Sequence, residues 1–316
     1  MRRGATRYEG ATIVMVFDTH CHVHLYPEHL SERMADIFMT AGRLGDTPVW
    51  WEPSRTWTRE DLGTDLDRLI NDMDAAEITR AFLLAQCWVP FDTATPAEYV
   101  AEVVRKYPTR FIGFWGGDPL RGSRAVRDLQ RCYDDFGFRG VKLSPAYNYV
   151  GLDDPRLYPI YCKAEELGIP VVVHTGWAWV PGSRIAAQNP ILLDAVAEAF
   201  PDLRIIAAHM GFHWSHETVM LMRKHPNVWC DIAFWESTMP VHHIAESLVW
   251  AKQSGVLDRV LWGSDYPSAD PAESVALHRR IPGVSAKLGL EPTITVPDIE
   301  DVLNNNAVRL AATLPS

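Results

Sequence analysis

No apolar run in this sequence of 316 residues approaches the ~20 residues needed to cross a bilayer, so nothing points to a membrane as partner. The five cysteines, Cys21, Cys87, Cys132, Cys162 and Cys230, are odd in number and lack paired CxxC spacing. That argues against a disulfide framework or a zinc ribbon and leaves five reduced thiols. An excess of basic charge is also missing. The formal net charge is −10, which gives no electrostatic footprint for nucleic acid. GFWGGDP lacks the lysine and spacing of a phosphate loop, and no GxSxG nucleophile elbow occurs. Internal repeats and low-complexity tracts are absent too.

What is present is ordinary globular composition, 47% hydrophobic and 22% charged, enough to build a core without cross-links. The start, MRRGATRYEG, leads into ATIVMVF. That apolar stretch is short and runs into a histidine cluster with no small-residue cleavage site, so it reads as a buried strand, and a cytoplasmic enzyme is expected. Short β-branched runs then recur: Ile13–Phe17, Arg80–Ala85, Arg110–Trp115, Gly140–Leu143, Pro170–Val173, Arg204–Ala208, Val228–Ile232 and Val260–Trp262. Near-continuous apolar strands separated by helical segments indicate a parallel sheet covered on its outer face.

The intervening segments carry helix signals. Leu157, Ile160, Tyr161, Ala164 and Leu167 fall at helical spacing, with Gly168 placed as a C-terminal cap. Leu62, Leu66, Leu69 and Met73 make an apolar stripe, Pro96 stands as a first-turn proline, and Ser215 is an N-cap candidate. Eight such units predict an α/β fold, a distorted (β/α)₈ TIM barrel forming one domain over residues 1–316. The first connection is far longer than the others. Residues 25–61, with Tyr26, Phe38, Trp50, Trp51 and Trp57, read as a lid insertion after the first strand.

Active-site residues of such a barrel come from the C-terminal strand ends. Those ends read Asp18-Thr19-His20-Cys21-His22, Val141-Lys142-Leu143-Ser144, Val173-His174-Thr175-Gly176, Ala208-His209-Met210-Gly211 and Gly263-Ser264-Asp265-Tyr266-Pro267. His20 and His22 are two apart, so in a strand they share a face and can reach one ion. His174, His209 and Asp265 stand at the matching ends of other strands. Three imidazoles and a carboxylate form a mixed N/O set suited to one divalent ion, Zn²⁺ first, with Mn²⁺ or Fe²⁺ behind it. An ion there would lower the pKa of bound water, Asp265 could take that water's proton, and a protonated His209 could stabilise an oxyanion.

The ordered set DTHCH, GVKLSP, VVVHTG, AAHMG and WGSDYP, closing with Asn306, Ala307, Arg309 and Leu310 in NNNAVRL, resembles the amidohydrolase-related superfamily. It is most similar to the branch containing aminocarboxymuconate-semialdehyde decarboxylase and related decarboxylases and hydrolases. The resemblance runs from Phe17 to Leu310. It implies one catalytic metal on His20, His22, His174 and Asp265, with His209 as acid/base beside it. In binuclear relatives a lysine matching Lys142 is carboxylated. In this branch Lys142 is expected near the substrate or paired to an acid. Analogy with the branch suggests a homodimer.

Twelve tryptophans cluster near strand ends, which suits a small planar or apolar substrate. Lys142, Trp115, Trp177, His213 and Glu236 are the candidate substrate contacts. The leading reaction is hydrolysis of an amide, ester, lactone or activated C–C bond. The alternative is non-oxidative decarboxylation of an aromatic or unsaturated acid, and a metal-free or non-catalytic barrel is the third reading. His22→Ala should lose metal, whereas His209→Ala should keep metal and lose turnover. Metal analysis of the two purified variants checks this, and metal retained by His22→Ala would count against the ligand set.

Overall fold

The computed structural model describes residues 15–42 and 58–315. Eight parallel strands make the barrel wall: β1 Val16–His22, β2 Ile78–Leu84, β3 Phe111–Phe114, β4 Val141–Leu143, β5 Val171–His174, β6 Ile205–Ala208, β7 Val228–Asp231 and β8 Val260–Leu261. Hydrogen-bonded ladders join β1–β2–β3 and β4–β5–β6–β7–β8. Single parallel bridges complete the circle, Trp115 with Val141 and Cys21 with Tyr266. Each connection carries at least one helix, among them Leu66–Ala75, Ala97–Lys106, Ser123–Phe136, Tyr158–Glu166 and Val241–Gln253. The barrel expected from the strand pattern is the fold observed.

Strand positions agree with the sequence reading except at the first. That strand was placed at Ile13–Phe17, and the described part of β1 begins at Val16 and continues through the histidine motif to His22. The motif stays extended because the far side of the barrel bonds to it. Thr19 N–H donates to the Trp262 carbonyl (3.1 Å), Asp265 N–H to the His20 carbonyl (2.7 Å) and His22 N–H to the Tyr266 carbonyl (2.9 Å). Periodicity reports burial, and polar residues paired inside a barrel mouth break the apolar signal without breaking the strand. The helix starting at Ser215 is another small difference. Trp214 holds the cap position, and Ser215 bonds to Ser247 instead. Pro96 likewise stands one place earlier than expected, at the cap. Gly168 ends its helix in a left-handed conformation (φ 65°), as the sequence suggested.

Two apolar layers follow from strand alternation. Outward residues such as Val141, Val171, Val173, Ile205 and Val228 pack against the helices. Inward residues Phe17, Phe82, Leu84, Phe114, Val172, Ile206, Ala208 and Leu261 fill the barrel below the mouth, closed by Ala307 and Leu310 from the C-terminal helix. Phe82 touches Phe17 and Phe114 at ring-centre distances of 5.1 and 4.6 Å. The NNNAVRL ending thus supplies a floor. Asn306 Nδ2 also donates to the Leu257 and Val260 carbonyls, fastening that floor to the start of β8.

The β8–β1 seam is bonded through side chains. Asp18 accepts from the His20 and Ser264 backbone N–H groups (2.9 and 3.0 Å) and from the Ser264 hydroxyl (2.5 Å). Burial pushes its pKa up to about 7 even against those bonds. Of the expected lid, Tyr26 and Phe38 fall on described segments, while Trp50, Trp51 and Trp57 lie outside the described residues.

Gly263 sits on this seam, where an added Cβ would stand 2.5 Å from His20 Cβ and 2.9 Å from His20 N. Gly263→Ala should therefore cost about 1–3 kcal/mol, the usual penalty for overpacking. Urea unfolding measures it, and an unchanged midpoint would contradict the tight packing of the seam.

Candidate metal centre

Strand alternation aims the chemistry inward. Lys142 pairs with Val172 across β4–β5 and so shares its inward face. His174 lies two residues beyond Val172, and Asp231 pairs with inward-facing Leu261. His209 lies one residue past inward Ala208 and reaches the mouth through a left-handed backbone (φ 59°), continued at Met210, Gly211 and Phe212. Asp265 is left-handed as well (φ 55°). Such conformations cost of order 1–3 kcal/mol each and persist where surrounding structure holds them.

Three sequence-predicted ligands come together. The ligand atoms of His20, His22 and Asp265 all lie within 4.8 Å of one another. Asp265 Oδ1 is 3.5 Å from His20 Nε2 and 3.3 Å from His22 Nε2. Two tetrahedral ligands at ~2.0–2.1 Å from one ion stand about 3.4 Å apart, so these separations fit a divalent metal. The opposite ring nitrogens are already committed. His20 Nδ1–H donates to Asp231 (3.0 Å) and His22 Nδ1–H to the Leu84 carbonyl (3.0 Å), which leaves both Nε2 lone pairs facing Asp265. Lys142 Nζ is 2.9 Å from His20 Nε2.

His174 stands beside this trio, outside the tight cluster. Its Nδ1 is 3.1 Å from His209 Nε2 and its Nε2 is 3.1 Å from the Trp177 carbonyl, while His209 Nδ1 is 2.9 Å from the Ala233 carbonyl. Those three contacts need three protons, and two neutral rings carry two. One of the three contacts therefore lacks its proton while both rings stay neutral.

Burial governs the charges. It pushes His209 down to about 4, with the His20 ring adding to the effect, and holds His174 well below the usual imidazole range, reinforced by His209. His209 is therefore neutral near pH 7. Burial raises Asp231, but the His20 ring and the His209 backbone N–H that it accepts from outweigh it and hold it below the usual carboxylate range. Lys142 is lowered to about 8 by burial, against the pull of Asp231 and Asp265. Glu236 is 1% exposed, and burial pushes it up to about 7.

A circuit of ring contacts adjoins the donors. From His174 it passes to Tyr147 (5.2 Å), Trp88 (4.3 Å, stacked), Phe38 (5.9 Å), Trp179 (6.2 Å), Trp177 (5.4 Å) and Phe212 (5.9 Å). It returns through His209, stacked on Phe212 at 4.9 Å, to His174 at 4.8 Å. Trp177 thus belongs to the site's surroundings. Trp115 does not: its indole Nε1 donates to Asp128 on the helix Ser123–Phe136 (2.8 Å), on the outer side of the barrel wall. A tryptophan ending a strand can face either way, and the outward face won. His213 is exposed and shares no ring contact or hydrogen bond with the donors. Sequence reasoning missed Asp231 and Phe212. An acid inside the apolar run VWCDIAF was the available signal for Asp231. Nothing in the sequence marked Phe212.

The chain matches the family model described as Amidohydrolase over residues 17–310. It belongs to the amidohydrolase family. Among amidohydrolase relatives, the chain is 27% identical over 180 residues to 2-amino-3-carboxymuconate-6-semialdehyde decarboxylase of Dictyostelium discoideum, covering 50% of this chain and 49% of that one. It thus spans about half that relative's length. Two solved structures share the fold. An uncharacterised TIM-barrel protein from Bordetella bronchiseptica has a TM-score of 0.71 at 24% identity, covering 95% of this chain and 99% of that one. A dihydroxybenzoic acid decarboxylase from Polaromonas, solved with bound manganese and the inhibitor 2-nitroresorcinol, has a TM-score of 0.62 at 17% identity, covering 94% and 96%. All five cysteines are unpaired, and among the described residues no helix is long and apolar enough to cross a membrane.

Asp231 orients the His20 ring, so Asp231→Asn should weaken metal binding about 10–100-fold, the usual effect of losing such a partner. Competition against a chromophoric chelator measures it. Wild-type affinity in the variant would remove Asp231 from the centre.

Proposed function

We propose that the chain is a metal-dependent decarboxylase of a small aromatic or conjugated carboxylic acid. The observation that carries this reading is the aromatic circuit closing on His174 and His209, with the buried Lys142 amine beside the same donors. Flat rings favour a planar substrate, and a buried cation favours its carboxylate. The names of the Dictyostelium relative and the Polaromonas structure support it too. Of the two reactions named from sequence, they favour decarboxylation over hydrolysis.

His20, His22 and Asp265 would hold the ion, with His174 alongside. When bound it supplies a Lewis acid for the substrate's oxygen atoms. Zn²⁺ and Mn²⁺ both suit two imidazoles and a carboxylate, and the manganese reported for the Polaromonas enzyme raises Mn²⁺ from its second place. Tyr147, Trp88 and Trp177 would flank the substrate's plane, and Lys142 would face its carboxylate. In the reaction the C–C bond to the carboxylate breaks, CO₂ leaves, and the electron pair stays on carbon until a proton arrives. Glu236, which keeps its proton up to about pH 7, is the reserve we assign for that proton. His209, neutral, would orient the substrate or accept a proton.

Metal-loaded protein incubated with a panel of ring-bearing and conjugated acids should release CO₂ and take one solvent deuterium into the product at the vacated carbon. Mass spectrometry in ²H₂O and H₂¹⁸O measures both labels. ¹⁸O in the product without CO₂ would replace this reading with the hydrolytic one.

A further inference from the structure

Lys142 is the middle residue of a three-residue strand, is 4% exposed, and reaches the barrel interior. Its Nζ meets one nitrogen of His20, at 2.9 Å. Because the other nitrogen of that ring gives its proton to Asp231, the nitrogen facing Lys142 carries the lone pair. The same lone pair belongs to the donor set with His22 and Asp265. One lone pair cannot serve an N–H donor and a metal ion together.

The charges touching the His20 ring can be counted. Asp231 and Asp265 contact it from opposite ends at 3.0 and 3.5 Å, and Lys142 is the cation among them. Asp18 bonds the His20 amide, not the ring. Two carboxylates and one ammonium leave one negative charge, and a divalent ion turns that into one positive charge. Without the ammonium the loaded group would be neutral. In a buried place such a difference governs which ions enter.

We infer that Lys142 opposes metal binding and, by the same charge, makes the metal-loaded centre a receptor for one carboxylate. The anion half rests on the carboxylic-acid reading above, and the metal half does not. The two halves have opposite signs. Lys142→Met keeps an unbranched chain out to the ε position, frees the His20 lone pair and removes the charge. A purely structural role for Lys142 would weaken both affinities.

The test uses the full chain, with Mn²⁺ and Zn²⁺ each alone, measured by competition against a chromophoric chelator. Benzoate binding to the loaded proteins is then measured by calorimetry. Lys142→Met should hold metal about tenfold more tightly or better and benzoate about tenfold more weakly or worse. Metal affinity unchanged or reduced in the variant overturns the inference. Benzoate bound equally by the two proteins overturns its anion half. Failure of wild type to bind any aromatic carboxylate, with metal still tightened in the variant, overturns the substrate reading and leaves the metal half standing. Should the methionine variant not fold, Lys142→Gln carries the same two measurements.

Discussion

The hydrogen bond from His20 Nδ1 to Asp231 sets the chemistry of the whole mouth. It places the ring proton on the side of β7 and the lone pair on the side of Asp265 and Lys142. With the proton on the other nitrogen, a buried carboxylate would face a lone pair, and the metal position would face an N–H. Asp231 would then lose a donor and the candidate metal position a ligand. Asp231 also accepts from the backbone N–H groups of His209 and Ala233, so one carboxylate fixes the tautomer of one histidine and the backbone path of another.

Around that bond the backbone takes conformations that side chains disfavour. His209 and Asp265 both occupy the left-handed region, and Gly176 and Gly263 stand where a β-carbon would collide with Phe212 and His20. Bonds that a regular strand end would lack hold them there. Trp235 Nε1 donates to the His209 carbonyl (2.6 Å), and Asp265 N–H is tied to β1. The apolar floor beneath, from Phe17 and Phe82 to Leu310, keeps water out of the barrel and gives these polar contacts their strength. Packing, seam and donor set therefore depend on one another.

Much of this was legible from residues alone, for reasons that differ by element. β5 and β6 are short β-branched runs, buried on both faces, so their positions followed directly from composition. The His20–His22 pair followed from the two-residue period of a strand. β1 was placed too early because its second half is polar, and only the β8 partners show why it remains a strand. Trp115 was assigned to the pocket because it ends a strand, yet it pairs with Asp128 outside the wall. Asp231 sat inside an apolar run and drew no notice, since a strand's sequence does not say what its inward residue meets.

The sequence by itself determined the barrel, the strands that bear the chemistry and the residue types at their ends. Those follow from periodicity and burial, which are local along the chain. Only tertiary structure decided which nitrogen of each ring faces the metal position, that Lys142 and Asp265 share the His20 ring, and that rings from several separate segments form one circuit. These are relations between residues far apart along the chain, as His20 is from Asp231 and Asp265. Hydrogen bonds and ring contacts act only over a few ångströms, so such relations exist only once the sheet has closed.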